Sequence, residues 1–257
     1  MGNPSPRGIW LGFAPLCSHL LLGKEREICY RKAMAFFPLN LDIRERVVTV
    51  VGGGAVARRK CRALLEAGAR LTVIAPLLDP RLGELRDRGV IAHVNRGYVP
   101  GDLAGAFLVF AATDTPAVNR AVADEARSRG ILVCVADDPA RGNVTLPSVV
   151  RRGDLLIAIS TGGKSPALAR AIRERLEREF GPEYGEALEI LGAVREKLLT
   201  LSGNTAYNKK IFSDLAVSPL VELVRSRRYD EVDLLLTRLA GPGFTREGLG
   251  LEKKDSA

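Results

Sequence analysis

Between residues 47 and 136 the chain alternates short apolar runs with amphipathic stretches. Val47–Val51 is a continuous β-branched run, the pattern of a strand buried on both faces. It ends in Gly52-Gly53-Gly54, and Ala55–Ala67 then reads as a helix closed by Gly68. Arg70–Ile74 reads as a second strand, Leu82–Arg88 as a short helix and Val90–Val94 as a third strand. Phe107–Ala112 is a fourth, followed by a helix at Pro116–Arg129 and a fifth strand at Ile131–Ala136. Strict strand–helix alternation implies right-handed crossovers and a doubly wound parallel sheet. The expected order puts strands three and two on one side of the first, and four and five on the other.

The pattern then changes. Asn143–Val150 and Asp154–Ser160 read as two strands joined by the polar turn Arg151-Arg152-Gly153, which is hairpin logic. Ser165-Pro166 is a helix start, serine as cap and proline in the first turn, and the helix runs to about Phe180. Gly181-Pro182 breaks it and a second helix follows to about Leu199. Residues 200–216 look like a linker or ragged turn. Ser218-Pro219 caps a short helix, Asp230–Leu239 reads as a last one, and Gly241-Pro242-Gly243 ends the order, with a frayed tail beyond.

Charge narrows the function classes. The formal net charge is +8, yet no arginine run is interleaved with aromatics and no helix-turn-helix or zinc-finger spacing is present, so nucleic acid is not expected as a partner. The excess is that of a basic surface or of a protein that takes an anionic small molecule. The four cysteines, Cys17, Cys29, Cys61 and Cys134, form no C-x-x-C pair, and His19 and His93 are the two histidines, so no metal site is expected and the thiols suit a reducing compartment. The apolar stretch Ile9–Gly23 is too short to span a bilayer, is broken by Pro15, Ser18 and His19, and lacks a signal-peptidase pattern; a cytoplasmic protein without a membrane partner is expected.

Four segments carry candidate chemistry. Gly52-Gly53-Gly54-Ala55-Val56-Ala57 fits G-x-G-x-x-A between a strand and a helix, where glycines let the backbone approach a pyrophosphate and the helix start supplies amides. The second strand ends in Ala75-Pro76 with no carboxylate for an adenosine ribose, and Arg58 and Arg59 follow the turn, so the ribose contact does not separate NAD from NADP. Ala111-Ala112-Thr113-Asp114 and Ala136-Asp137-Asp138-Pro139 follow the fourth and fifth strands at the carboxyl edge, where open α/β sheets bind ligands. Asp114 suits a helix N-cap and Asp138-Pro139 a turn, which leaves Asp137 as the candidate proton-transfer group. Ser160-Thr161-Gly162-Gly163-Lys164-Ser165 is either a plain connection or a second anion-binding helix start.

Taken in order, "FFPLNLDIRERVVTVVGGGAVARRK", "VFAATDTPAVN", "CVADDP" and "LPSVVRRGDLLIAISTGGKSPALAR" resemble the precorrin-2 dehydrogenase / sirohydrochlorin ferrochelatase family, which includes the N-terminal module of siroheme synthase. The resemblance covers about residues 34–200. It implies a Rossmann-type domain over 34–142, dimerisation strands over 143–164 and a helical domain over 165–200, with 1–33 outside the fold and Met34 as the usual kind of start; residues 201–257 have no counterpart in it and read as a C-terminal helical extension and tail. It implies oxidation of precorrin-2 to sirohydrochlorin with NAD, insertion of ferrous iron into sirohydrochlorin in some members, and a homodimer. The family's catalytic aspartate matches Asp137, and its NAD-contacting positions match Gly54, Ala55, Val56, Pro76 and Leu77. With Gly52, Gly53 and Thr113 these make the expected cofactor site. Arg141, Thr161 and Lys164 are the expected contacts to a tetrapyrrole rich in carboxylates, with Arg151 and Arg152 as further basic candidates. Two other readings stay open on the residues alone: an oxidoreductase for another small anion, and a dinucleotide-sensing module without turnover.

Overall fold

A computed structural model of the chain describes residues 36–201 and 205–251. Contacts divide the chain at Leu41; residues 36–41 carry no helix or strand, and the elements below all belong to the compact unit that starts at Asp42. The expectations for residues 1–33 lie outside the described residues.

Five parallel strands, β1 (Val47–Val51), β2 (Arg70–Ile74), β3 (Ala92–Val94), β4 (Leu108–Ala111) and β5 (Leu132–Val135), form one sheet in the order β3-β2-β1-β4-β5. This is the doubly wound order expected from the alternation. Three helices cross between them: α1 (Ala55–Glu66), α2 (Pro80–Asp87) and α3 (Pro116–Ser128). The central strands are apolar throughout because both faces are covered: Val48, Val50, Val73 and Phe110 pack with Ala57, Cys61 and Leu64 of α1, while Val51, Val109, Val133 and Val135 pack with Val122, Ala123 and Ala126 of α3. Each such fully buried side chain contributes about 1.5–3 kcal/mol from lost water contact. The register pairs Val51 with Ile74 and Ala111, and Ala111 with Val135. The residues that follow these four positions therefore emerge in a row at the carboxyl edge.

A separate antiparallel hairpin, β6 (Ser148–Arg152) and β7 (Leu155–Ile159), follows. Its turn is Gly153-Asp154, because Arg152 pairs with Leu155; the expected turn at Arg151-Arg152-Gly153 is two residues early. Gly153 takes φ +53°, which glycine adopts without the cost a side chain would carry. Val150 is buried, and Arg152 donates to the Glu177 carbonyl of α4 (Pro166–Glu179) at 2.9 Å. On the opposite face Val149, Leu156 and Ala158 are exposed.

Four helices close the described chain: α5 (Glu183–Leu201), α6 (Thr205–Ala216), α7 (Leu220–Arg225) and α8 (Tyr229–Ala240). They share one core that includes Ile190, Val194, Ile211, Leu215, Leu220, Val232 and Leu236. The stretch read as a ragged linker thus contains α6, anchored by the i, i+4 pair Ile211 and Leu215. Order continues past Gly243 through a 3₁₀ turn at Glu247–Leu249.

Candidate functional site

The glycine turn after β1 is shaped by close backbone approach. Gly52 has φ +122°, and a Cβ there would lie 2.3 Å from the Ala112 carbonyl oxygen; one on Gly53 would lie 2.0 Å from the Leu77 carbonyl oxygen. These two glycines are required by the protein itself, which brings the loop after β2 and the loop after β4 against the turn. Gly54 differs. Its φ is −84°, and a Cβ there would meet nothing within 4 Å. It sits at the N-cap of α1, which has no side-chain cap, so the first amides of the helix face open space beside Ala55 and Val56. That open, amide-lined corner at a helix start has the form of a phosphate cradle, and the residues present fit a dinucleotide pyrophosphate.

The wall on the β2 side is Ala75-Pro76-Leu77. Nε2 of His93 donates to the Ala75 carbonyl (2.9 Å), and the Asp79 amide donates to the Gly53 carbonyl (2.7 Å), tying this loop to the glycine turn. Leu77 is 82 % exposed, an uncovered apolar surface next to the turn. Asp79 caps α2 by accepting from the Arg81 amide (3.0 Å) and pairs with Arg58 at 3.2 Å, so the Arg58 charge is answered within the protein.

On the other side, Thr113 and Asp137 leave β4 and β5 at the same edge, and Asn119 of α3 joins them. Asn119 was not among the expected site residues. It lies on the buried stripe of α3 with Val122, Ala123 and Ala126 and is 1 % exposed. Its Nδ2 donates to Oδ1 of Asp137 (2.9 Å) and to the Thr113 carbonyl (3.0 Å). Its Oδ1 accepts from the Thr113 amide (3.1 Å) and hydroxyl (2.8 Å). Helical periodicity could have found it: a polar side chain on the core face of a helix must have partners, and the nearest polar groups are at the strand ends. Asp137 is exposed, and its Oδ2 has no protein partner among the described residues.

Asp114 does not cap α3. The N-cap is Thr115, without a side-chain hydrogen bond; the Thr113 hydroxyl accepts from the Thr115 amide (3.2 Å), while Asp114 accepts from the Thr115 hydroxyl (3.3 Å). Asp138 takes the expected turn role, starting the 3₁₀ turn Pro139–Arg141 and pairing with Arg141 at 3.0 Å.

The remaining basic and hydroxyl candidates are set apart. The Thr161 hydroxyl donates to the Ser165 carbonyl (3.0 Å) and accepts from the Ser165 amide (3.2 Å), shaping the β7–α4 loop, and Lys164 is exposed on that loop. Ser165 caps α4 as expected, accepting from the Leu168 amide at 3.2 Å. Among the described residues no hydrogen bond or ion pair joins Thr161 or Lys164 to Asp137, Arg141 or the glycine turn. Nor do the described residues hold a group of three or more histidine, cysteine, aspartate or glutamate side chains arranged for a metal, or a helix long and apolar enough to cross a membrane.

Comparison with known proteins agrees with this geometry. Residues 39–148 match a putative NAD(P)-binding family model, and residues 152–179 match the model of the sirohaem biosynthesis protein central region. A siroheme synthase of Chromobacterium violaceum is 40 % identical over 74 % of this chain and 41 % of its own length; one from Stutzerimonas stutzeri is 36 % identical over 81 % of this chain and 45 % of its own. The chain thus spans less than half the length of these relatives. Among solved structures, the precorrin-2 dehydrogenase SirC superimposes with a TM-score of 0.66 at 28 % identity, over 76 % of this chain and 98 % of SirC. Over these segments the chain is similar to siroheme synthases and to a precorrin-2 dehydrogenase, and its parallel sheet lies within the stretch that matches a putative NAD(P)-binding family model.

Proposed function

We propose that this chain oxidises precorrin-2 to sirohydrochlorin with NAD. The observation that carries the reading is the single row of groups at the carboxyl edge of the sheet: the open Gly54 corner, the exposed Leu77, then Thr113 and Asp137 linked through Asn119. The reaction removes a hydride and a proton from the tetrapyrrole, and a bound nicotinamide dinucleotide supplies the hydride acceptor. The chain supplies the rest. The α1 amides at Gly54–Val56 seat the pyrophosphate, Pro76 and Leu77 give the adenosine a flat apolar wall, and Thr113 forms the floor toward β4. The open Oδ2 of Asp137 takes the proton. NAD is the proposed form of the cofactor; Asp79 answers the Arg58 charge, whereas Arg59 stays exposed on the same helix, so the preference over NADP rests on the family resemblance and not on a ribose contact.

Arg141, Thr161 and Lys164 are proposed contacts to the substrate carboxylates. Insertion of ferrous iron into sirohydrochlorin is the accompanying activity, since it too requires pyrrole protons to be taken up at the same carboxylate. The proposed working unit is a homodimer. The hairpin supports this: Val149 and Leu156 are exposed on its outer face, and its strands pair only with each other among the described residues. Cys61 and Cys134 are free and buried, in keeping with a reducing cytoplasm.

Adding precorrin-2 to the protein with NAD tests the reading. Stoichiometric NADH and sirohydrochlorin are expected. NAD binding without turnover would replace the reading with that of a dinucleotide sensor.

A further inference from the structure

Asn119 uses every hydrogen-bonding group its side chain has. Two hydrogens on Nδ2 and two lone pairs on Oδ1 meet four partners, Asp137 Oδ1 and three groups of Thr113. Its orientation is not interchangeable. The Thr113 amide can only donate and the Thr113 carbonyl can only accept, so the amide oxygen must face the former and the nitrogen the latter. The same nitrogen then faces Asp137. Three of the four bonds organise the loop after β4 and would suffice for folding. The fourth reaches an exposed carboxylate, which water could satisfy equally well. What that bond adds is orientation of a side chain that would otherwise turn freely.

We propose that Asn119 is a positioning residue that fixes the Asp137 carboxylate through Oδ1, turns Oδ2 toward the substrate, and makes the proton acceptor one rigid piece with the Thr113 floor of the dinucleotide site. The inference rests on the reading of Asp137 as proton acceptor. Asn119 touches neither substrate nor cofactor and acts through Asp137. The other charged groups on the elements that meet here are Asp114 after β4, Arg120, Asp124, Glu125 and Arg127 on α3, and Asp138 and Arg141 after β5; Glu125 is engaged by Tyr98 and Arg129, and Arg127 donates to the Ala140 carbonyl. Asp138 and Arg141 answer each other at 3.0 Å, and Asp114 is engaged by Thr115.

Asn119→Asp keeps the size of the side chain and keeps an acceptor for the Thr113 amide and hydroxyl, but replaces the donor that faces both Asp137 and the Thr113 carbonyl with a second carboxylate oxygen. Two carboxylates this close share a proton. The rising limb of the rate–pH profile should therefore move up by about one pH unit or more, with turnover near pH 7 down about tenfold or more, while the dissociation constant for NAD changes little. The same coupling is read without turnover in the carboxyl carbon resonance of Asp137, which should titrate with its new neighbour. Asn119→Ala, Asp137→Ala and the double variant are measured in parallel, each rate normalised to the sites that bind NAD. Asn119→Ala should lower turnover on the order of 10-fold to 100-fold, by analogy with other residues that orient a reacting group through one hydrogen bond. The double variant should be no slower than Asp137→Ala alone, because the effect passes through that residue. An unshifted pH profile in Asn119→Asp, or additive losses in the double variant, would overturn the proposal. If Asp137→Ala itself turns over normally, the proton-acceptor reading fails; if Asp137→Ala loses turnover while Asn119→Asp keeps an unshifted pH profile or the losses in the double variant add, only the role of Asn119 fails.

Discussion

The three consecutive glycines answer to different demands, and the difference is visible residue by residue. Gly52 and Gly53 are held by neighbouring carbonyls, whereas Gly54 faces open space. A carboxylate at position 54 fits the fold and obstructs the proposed ligand. Gly54→Asp should leave the circular dichroism spectrum and melting point near those of the parent and abolish NAD binding by calorimetry, since it places negative charge in the pyrophosphate path. Gly53→Ala should instead destabilise the protein, because its methyl meets the Leu77 carbonyl. Retained NAD affinity in a folded Gly54→Asp protein would remove the assigned site. The glycine turn and the place of Asp137 at the carboxyl edge of the sheet were legible in the sequence because strand ends and G-x-G-x-x-A spacing mark them. Asn119 was not singled out, since its role appears only when two strand ends separated by about twenty residues are brought together. Cysteine chemistry also resolves at this scale. Burial pushes the Cys61 thiol up to about 11, so at neutral pH almost none of it is thiolate. Alkylation mapped by mass spectrometry should leave Cys61 unmodified in the folded protein and modify it after denaturation; rapid labelling in the native state would contradict its burial.

Element boundaries show where local pattern suffices and where packing decides. The five parallel strands and their order were legible because buried parallel strands are continuous apolar runs and crossovers have one hand. The hairpin turn was displaced because Arg151 and Arg152 look like turn residues, yet both continue β6 and pair with Leu156 and Leu155. Alternation assigns the faces: Val150 and Ile157 point inward, Val149 and Leu156 outward. Helix α6 was missed because Ser202-Gly203 and Pro219 punctuate its flanks, Lys209 and Lys210 break the apolar pattern, and only its contact with α5 and α8 makes Ile211 and Leu215 core residues. Helix α5 meets the hairpin turn through Gly185, where a Cβ would lie 3.0 Å from the Arg152 carbonyl carbon. Gly185→Val should cost on the order of 1–3 kcal/mol by overpacking that contact, read as a lowered melting temperature. An unchanged melting temperature would mean that α5 does not press on the hairpin as described.

At the scale of the molecule, the nucleotide-binding sheet and the helical core α5–α8 each bury their apolar faces, while the hairpin between them leaves one uncovered. A second copy of the chain is the proposed cover. Sedimentation at micromolar concentration should report a dimer, and Val149→Asp with Leu156→Asp should shift it to a monomer by adding unpaired charge to the buried patch. A monomeric parent protein would contradict the proposed dimer. The basic surface also gains a use at this scale: a net charge of +8 favours the encounter with a polycarboxylate, so kcat/KM for precorrin-2 should fall as salt rises, whereas a salt-independent rate would mean the charge does not steer the substrate.

The central claim is that Asp137 takes the substrate proton at the sheet edge. Turnover of precorrin-2 by a folded, NAD-binding Asp137→Ala protein, with Asp138→Ala as control, tests it most directly. Loss of about 10²–10⁴ in rate for Asp137→Ala is expected of a general base, against little change for Asp138→Ala, whose carboxylate pairs with Arg141. A near-normal dehydrogenase rate in Asp137→Ala would contradict the mechanism.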